Sequence, residues 1–322
     1  MRASLFAMAK ASAKTKKGMF GLWAKQPARP KAGIAHRAPG KTESRCEDNP
    51  AAQARKRYRG PAPLVAAELF WGRGRLWLED EAGETALHWQ AAKADNVGVL
   101  GAGLGGRAIR LATQVPTASL YEFDWRPDVL KWRNGRAART EGQETVSCYE
   151  VNIGMALPPP RRCMCMIGAE PLFAQTGPGL LSWARSALES GGVLVLEELV
   201  SDSTSPPTKE LRNSWLSRDS GAGQWLRLEE QSNVLRRYGF VIGKIKERTG
   251  AHLRALKMVL ETATEAKEAL DEAINLAPDL KNVADHFNCE RKAAKNRLKA
   301  LEHGVLAVYR LEVIKPRADE LI

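Results

Sequence analysis

The sequence contains no apolar run long enough to cross a membrane. A transmembrane helix needs about 20 consecutive apolar residues, and the stretch Ala3 to Ala9 is short even for the apolar region of a secretory signal. Of the 322 residues, 44% are hydrophobic and 27% are charged, which is typical of a globular protein. We therefore expect a soluble product and take the cytoplasm as its predicted compartment.

Cysteine is scarce, and its few positions are not paired. The five cysteines are Cys46, Cys148, Cys163, Cys165 and Cys289; their number is odd and no C-x-x-C motif occurs. A disulfide framework or a zinc site needs regularly spaced cysteines or histidines. The sequence thus predicts reduced thiols and no metal site.

Acidic residues are missing from the first 42 positions. Residues 1–60 hold 15 Lys and Arg against three acids, whereas the rest of the chain carries 34 charges of each sign. The segment has too few apolar residues to offset chain entropy by burial, so we predict a disordered basic tail. Contact with nucleic acid or an anionic membrane, organellar targeting, or a merely solvated extension are the functions open to it.

Glycine, by contrast, is concentrated in residues 97–106, Val-Gly-Val-Leu-Gly-Ala-Gly-Leu-Gly-Gly. The pattern predicts a strand, a sharp turn at Gly101, Gly103 and Gly105, and a helix whose partly positive N-terminus faces the turn. The next strand ends near Asp124, where a carboxylate can accept hydrogen bonds from both hydroxyls of a ribose. This segment predicts a nucleotide-binding pocket that FAD, NAD or S-adenosylmethionine could fill.

Apolar runs alternate with helical patterns along the rest of the chain. The predicted strands are 97–100, 118–123, 146–151, 163–167, 241–246 and 304–313, and helices are predicted at 61–71, 104–114, 127–139, 180–188 and 228–238. Residues 190–197 are predicted to form a helix stop, a tight turn and then strand five. This alternation predicts a doubly wound α/β domain over residues 61–322, with a mostly parallel seven-stranded sheet. Residues 251–303 are predicted as a helical hairpin inserted between the last two strands, serving as a lid or as a dimerisation arm.

Residues 95–316 resemble the class I S-adenosylmethionine-dependent methyltransferases, which end their Rossmann-like sheet with a hairpin of strands six and seven. Four segments carry the resemblance, in the family's order: Gly101-Ala-Gly-Leu-Gly105, Asp124-Trp-Arg-Pro127, Ser190-Gly-Gly-Val193 and Tyr238-Gly-Phe240. The resemblance implies methyl transfer with S-adenosyl-L-methionine as cofactor.

The resemblance also implies roles for individual residues. Gly101, Ala102, Gly103 and Gly105 would lie beneath the methionine and ribose, Asp124 would accept from the ribose hydroxyls, Trp125 would lie against the adenine, and Asn152 and Ile153 would contact the adenine amine and ring. Glu122 is a competing ribose acid, but the three-residue spacing from Asp124 to Pro127 favours Asp124. Glu170 is the first candidate for binding or deprotonating the acceptor, with a helix cap as the structural alternative.

Other functions remain open. An FAD- or NAD-dependent oxidoreductase would use the same glycine turn, and the basic tail could recruit RNA to an RNA methyltransferase. A third alternative is a catalytically inactive partner protein, since Val99 stands where the family often carries an acid. The balanced charge beyond residue 60 favours a small-molecule acceptor. His252 and the basic stretch 291–297 are predicted to be solvated surface features.

Overall fold

A computed structural model of the chain describes residues 56–72, 74–78, 91–137, 146–151, 153, 162–169, 171–176, 179–201 and 226–317. The helices are α1 (Pro61–Trp71), α2 (Gly106–Gln114), α3 (Pro127–Ala137), α4 (Leu172–Thr176), α5 (Gly179–Ala187), α6 (Leu228–Arg237), α7 (Thr249–Ile274) and α8 (Lys281–Glu302). The strands are β1 (Asn96–Leu100), β2 (Ser119–Asp124), β3 (Val146–Glu150), β4 (Cys163–Gly168), β5 (Leu188–Ser201), β6 (Val241–Glu247) and β7 (Leu306–Ile314). A short 3₁₀ turn, Pro278–Leu280, joins α7 to α8.

The seven strands form one sheet in the order β3-β2-β1-β4-β5-β7-β6. Strands β1 to β5 pair in parallel, and β7 runs antiparallel to both β5 and β6. The predicted doubly wound, mostly parallel sheet is confirmed, and so is the helical insertion between its last two strands. The carboxyl ends of the parallel strands lie at one edge of the sheet, where ligands bind in folds of this kind.

Helices cover both faces of the central strands. On one face Val97 and Val99 of β1 pack with Ile167 and Val195, and on the other Leu100 packs with Phe123 of β2. This two-sided burial explains why β4 is an apolar run rather than an alternating one. Burial raises the pKa of the Cys163 and Cys165 thiols to about 12. Both are free, as are Cys148 and Cys289, whereas Cys46 lies outside the described residues.

The inserted hairpin packs on the first helix of the same chain. Helices α7 and α8 contact each other and both contact α1, within one apolar cluster in which the Phe70 and Phe287 rings meet edge to face at 5.6 Å. Helix α1 is buried nearly all round, from Ala62 to Trp71. The apolar surface that a dimerisation arm would offer to a second copy is therefore largely covered by α1.

The chain is packed before the predicted boundary at residue 60. Tyr58 is buried, and Arg57 donates through Nε and Nη2 to the Glu290 carboxylate of α8, at 3.2 and 2.7 Å. Trp71 Nε1 donates to the same carboxylate at 3.1 Å. Residues 56–60 therefore belong to the folded domain, and the predicted disordered tail can comprise only residues 1–55, which the structure does not describe.

Among the helices that the structure describes, none has both the length and the apolarity of a membrane span. The longest, α7, has 26 residues, but acids and lysines recur along it.

Candidate functional site

The glycine turn joins β1 to α2 at the carboxyl edge of the sheet. Gly101, Gly103 and Gly105 all have positive φ angles, of 71°, 58° and 87°. The N–H groups of Gly101 and Ala102 both donate to the Phe123 carbonyl, at 2.8 and 3.2 Å. These two hydrogen bonds tie the turn to the end of β2, so that it lies next to Asp124.

Part of the glycine requirement comes from packing within the chain itself. Gly105 is the left-handed N-cap of α2, and a Cβ there would overlap the side chain of Arg133 from α3. On the other side, Gly106 N–H donates to the Gly74 carbonyl at 3.0 Å, and a Cβ on Gly103 would touch Leu76 at 3.5 Å. Residues 74–76 therefore lie on the turn, and Arg133 passes beneath it.

Asp124 ends β2 and is fully buried. Its Oδ2 accepts from Gly103 N–H at 3.2 Å and from Arg126 Nη2 at 2.7 Å, while Oδ1 accepts from Arg126 N–H and Nε at 2.9 and 2.8 Å. The Arg126 guanidinium is itself buried and lies over the Trp125 and Tyr58 rings, at 4.8 and 5.4 Å from their centroids. Both carboxylate oxygens therefore have donors from within the chain.

The competing acid of the same strand has a different environment. Glu122 accepts from Arg133 Nε at 2.8 Å and from Cys148 Sγ at 3.0 Å, and it is fully buried. Burial raises the pKa of Glu122, and the positive charge of Arg133 acts in the opposite direction. Of the two acids of β2, Asp124 is therefore the one whose carboxylate contacts the glycine turn.

The other predicted cofactor residues are only partly brought to this point. Trp125 has no exposed surface and belongs to the apolar cluster on one face of the sheet, against which Ile153 is also packed. A Cβ on Gly179 would lie 3.0 Å from Ile153 Cγ2, so this side chain faces the start of α5. Asn152 and the candidate acceptor residue Glu170 lie outside the described residues.

The segment that follows β4 is attached from both sides. Ala169 N–H donates to the Leu100 carbonyl at 2.9 Å, and Arg107 of α2 donates to the Gly168 carbonyl at 2.5 Å. From β5, the fully buried Glu198 carboxylate accepts the N–H groups of Leu172, at 2.8 Å, and Phe173, at 3.3 Å. Burial raises the pKa of Glu198 to about 8, against the lowering effect of these two N–H donors.

The predicted end of strand five at Glu197 was wrong, because β5 continues to Ser201. Glu197 and Glu198 therefore both lie within the strand, on opposite faces. Glu197 pairs with the buried Arg310 of β7 at 2.6 Å. Sequence patterning could not identify the helix-capping role of Glu198, since its partners are backbone groups in another element.

Of two features of the insertion that were predicted to be solvated, one is buried and the other is partly buried. His252 is 3% exposed, its Nε2 has no hydrogen-bond partner, and burial followed by the charge of Arg297 lowers its pKa to about 3. Arg297 is 1% exposed and its guanidinium carbon lies 3.6 Å from the Trp77 ring centroid. The solvated position predicted for His252 was therefore wrong, whereas in the basic stretch 291–297 Lys292 and Lys295 are exposed as predicted and Arg297 is not. A Trp-rich segment near residue 77 was the available signal that α7 and α8 would be covered.

The described residues test whether a nucleotide cofactor fits. The turn, its place at the end of β1, and a carboxylate at the end of β2 match the requirements of a ribose-containing ligand. The Arg126 guanidinium, however, holds both Asp124 oxygens, so a ribose could reach this carboxylate only after Arg126 moved away. The described residues contain no group of three or more His, Cys, Asp or Glu side chains suited to a metal ion.

No protein-family model and no curated protein matches the sequence. Several solved structures are similar in fold. Phosphoethanolamine N-methyltransferase 2 from Haemonchus contortus, solved with phosphomonomethylethanolamine and S-adenosylhomocysteine, matches with a TM-score of 0.64 at 14% identity, over 79% of this chain and 57% of that one. The cyclopropane synthase MmaA2 from Mycobacterium tuberculosis matches with a TM-score of 0.62 at 15% identity, over 86% of this chain and all of that one.

The [4+2]-cyclase SpnF matches with a TM-score of 0.56 at 14% identity, over 80% of this chain and 92% of that one. This chain therefore spans little more than half the length of the Haemonchus enzyme but most of the length of the other two. At these identities the likeness concerns the backbone arrangement: the chain has the fold of class I S-adenosylmethionine-dependent methyltransferases.

Proposed function

We propose that this chain, which has the class I methyltransferase fold, binds S-adenosyl-L-methionine and transfers its methyl group to a small-molecule acceptor. One observation carries the proposal. The glycine turn after β1 is hydrogen-bonded to the end of β2 and lies against the Asp124 carboxylate, on a sheet with the order β3-β2-β1-β4-β5-β7-β6. The contact between the glycine turn and the Asp124 carboxylate, at the edge where ligands bind in this fold, supports the proposal that this carboxylate binds a ribose.

The cofactor would supply an activated methyl group on a sulfonium, so the protein has mainly to bind and align. Gly101, Ala102, Gly103 and Gly105 would lie beneath the methionine and ribose, and Asp124 would accept from the ribose hydroxyls. Trp125, Asn152 and Ile153 would border the adenine. Arg126 is buried beside Trp125 and is paired with Asp124 in this structure. The cofactor arrangement therefore requires Arg126 to leave Asp124 when the cofactor binds.

The acceptor would bind beside the segment after β4. Glu170 lies in this segment between Ala169 and Leu172, both of which are held by hydrogen bonds to neighbouring strands. We propose Glu170 as the residue that binds the acceptor or removes its proton. Glu198 and Arg107 would keep the segment at a fixed distance from the glycine turn, which is the positioning that methyl transfer needs.

A small-molecule acceptor agrees with the charge balance beyond the tail. The Haemonchus enzyme, which shares the fold, was solved with a small phosphorylated amine. Recruitment of RNA through the basic tail remains the alternative. Free, buried cysteines support a reducing compartment, and we propose the cytoplasm.

Calorimetric titration with S-adenosylhomocysteine tests the cofactor. We expect saturable binding by the full chain, and a loss of about tenfold or more in affinity on Asp124→Ala because a buried hydrogen-bonded carboxylate is removed. Glu150→Ala is the matched control, since Glu150 pairs in register with Asp124 on β3 but is exposed. Its affinity should stay unchanged.

The same titration with FAD and NAD separates the oxidoreductase alternative. Tight binding of either, with none of S-adenosylhomocysteine, would overturn the methyltransferase proposal. If S-adenosylhomocysteine binds but no compound in a cell extract becomes labelled from methyl-labelled cofactor, the inactive partner protein is the better description. The fold alone does not decide this, since one of its members is a [4+2]-cyclase.

A further inference from the structure

A second concave site lies on the opposite edge of the sheet from the glycine turn. It has a volume of about 530 Å³ and is lined by Ser182, Arg185, Ser186, Arg237, Tyr238, Gly239 and Lys315. These residues come from the end of α5, the end of α6 and the residue that follows β7. Because β7 is antiparallel, its end meets the amino ends of the parallel strands, away from the proposed cofactor site.

Positive charge dominates this pocket. Arg185, Arg237 and Lys315 line it, and no carboxylate occurs among the described residues that do so. Neither arginine side chain forms an ion pair within the part of the chain that the structure describes, and the buried Nε of Arg185 has no hydrogen-bond partner. Burial, and then the charges of Arg162 and Arg185, lower the pKa of Lys315. The positive charges of Arg185 and Lys315 therefore lie close together, and no described residue that lines the pocket supplies a counter-charge.

The position of Arg185 is fixed by the backbone around it. Its guanidinium lies against Gly239, where a Cβ would come within 2.8 Å of Cζ, and Gly239 has a φ of 78° that side chains disfavour. Lys315 Nζ donates to the carbonyls of Arg185 and Leu188, at 2.9 and 2.6 Å. The glycine of the Gly239-Phe240 step thus allows close approach of an arginine, and the site is ordered before any ligand arrives.

We propose that this pocket binds a phosphate-bearing ligand of nucleotide size. Arginine side chains present several N–H donors in a planar fork that matches phosphate, and an anion would neutralise these positive charges. The buried Nε of Arg185 would gain the acceptor that it lacks. The Ser182 and Tyr238 hydroxyls add neutral donors, and the volume is within the range of small-molecule sites, far larger than one phosphate requires.

The ordinary structural roles of these residues do not account for the whole cluster. Arg185 and Arg237 lie in the last turns of their helices, where a positive side chain is favourable. Lys315 satisfies two helix-end carbonyls. These roles would be met equally well with exposed side chains, whereas here Arg185 is drawn against Gly239 with its Nε desolvated and unsatisfied.

The test is a calorimetric titration of the full chain with pyrophosphate and with ADP, at constant ionic strength. Arg185→Gln and Arg237→Gln are the test variants. Arg236→Gln is the matched control, because Arg236 is the neighbouring exposed arginine of α6 and donates to Asn233 outside the pocket. We expect saturable binding that each test variant weakens by about tenfold or more and that Arg236→Gln leaves within about twofold, since charge-assisted hydrogen bonds are local.

Equal weakening by all three variants, or no saturable binding of either probe, would overturn the proposal. Tighter binding of ADP than of pyrophosphate supports a nucleotide-sized ligand. Equal binding of the two probes would overturn the proposed ligand size, and the pocket would then be a simple phosphate site. Arg237 is exposed, so its variant tests the site even if Arg185→Gln does not fold. Saturation of the chain with S-adenosylhomocysteine should leave ADP binding unchanged, which separates this site from the proposed cofactor site.

Discussion

The Asp124 carboxylate, which we propose as the ribose acceptor, accepts four hydrogen bonds, three of them from Arg126. The Asp124–Arg126 ion pair has two opposing effects, one on stability and one on cofactor binding. The pair stabilises the ligand-free protein, because a buried carboxylate without a partner is costly. It also competes with the cofactor, because the same oxygens cannot serve both donors at once.

Arg126→Gln is therefore predicted to raise the affinity for S-adenosylhomocysteine by about tenfold, corresponding to ~1.4 kcal/mol, while it lowers the stability of the ligand-free chain. Calorimetry and the thermal shift on adding ligand measure the two effects. Arg133→Gln is the matched control, since Arg133 is equally buried and pairs with Glu122 of the same strand. Arg133→Gln should lower the stability without raising the affinity for S-adenosylhomocysteine. If Arg126→Gln instead weakened binding, Arg126 would be part of the cofactor site.

Glu198 should make stability depend on pH in an unusual direction. Burial raises its pKa from 4.5 to about 8 in the folded chain, so the folded state holds the proton more tightly than the unfolded state does. Its contribution is complete below pH 4.5 and is lost as the pH rises through about 8. Across this window the loss is on the order of 5 kcal/mol at most.

Glu198→Gln is predicted to abolish that loss, because the amide oxygen can still accept from Leu172 without becoming charged. Urea unfolding at pH 5 and pH 9 measures this effect. Relative to the wild-type chain, Glu198→Gln should be more stable at pH 9 than at pH 5. Glu189→Gln alters a half-buried carboxylate of the same strand and serves as the control. If Glu198→Gln and Glu189→Gln changed the stability equally between pH 5 and pH 9, Glu198 would already be ionised at low pH in the folded chain.

The glycine turn and helix α3 are in contact through Gly105 and Arg133. Gly105 leaves the space that the Arg133 side chain occupies on its way to Glu122, so turn, helix and strand form one packed unit. The Arg133 side chain, paired with the buried Glu122, occupies the space beside residue 105. A glycine is therefore required at 105 by packing within the chain, whether or not a ligand binds. Each of these elements was predictable in the sequence, but not their mutual contact.

Gly105→Ala is predicted to destabilise the chain by about 2 kcal/mol or more, since it combines a left-handed backbone with overlap on Arg133. Gly135→Ala is the matched control within α3. Nothing lies within 4 Å of a Cβ at Gly135, and alanine should add about 0.5–1 kcal/mol there by its helix propensity. Chemical unfolding checks both signs. A neutral Gly105→Ala would show that the turn can shift away from Arg133.

Across the whole molecule, the two proposed binding sites lie at opposite edges of one sheet. The proposed cofactor and acceptor lie at the carboxyl edge, the basic pocket at the opposite edge, and α1 with the α7–α8 hairpin forms an additional apolar core. The hairpin cannot swing as a free lid without exposing the cluster around Phe70 and Phe287. Any lid movement must therefore be small or must involve α1 as well.

Removal of residues 1–55 is predicted to leave cofactor affinity and methyl transfer to a small molecule unchanged. Binding of a fluorescent single-stranded RNA, measured between 50 and 200 mM salt, would lose its steep salt dependence if the tail is the RNA contact. Loss of methyl transfer together with RNA binding would favour the RNA methyltransferase. Removal of residues 1–60 is the control: it also deletes Arg57 and Tyr58, so this chain should unfold more easily.

The position of the glycine turn, most of the strands and the hairpin insertion followed from the sequence because they depend on local patterns, whereas the order of the strands in the sheet came from the structure. Apolar runs bounded by glycine and proline predicted β1, β2 and β4 to within a residue or two, and α1 at its observed ends. The Asp124-to-Pro127 spacing selected the acid that does contact the turn. Such patterns act over a few neighbouring residues, and the polypeptide retains them in any tertiary arrangement.

Tertiary structure alone decided which charges are buried and which of them meet. Arg126 on Asp124, Glu198 on the start of α4, Arg297 on Trp77 and Arg185 on Gly239 all depend on how elements pack across the sheet or against α1. Charge energies vary steeply with distance and burial, and linear sequence encodes neither. The glycine turn was therefore evident in the sequence, whereas the pairing of Arg126 with Asp124, the acid beside that turn, was not.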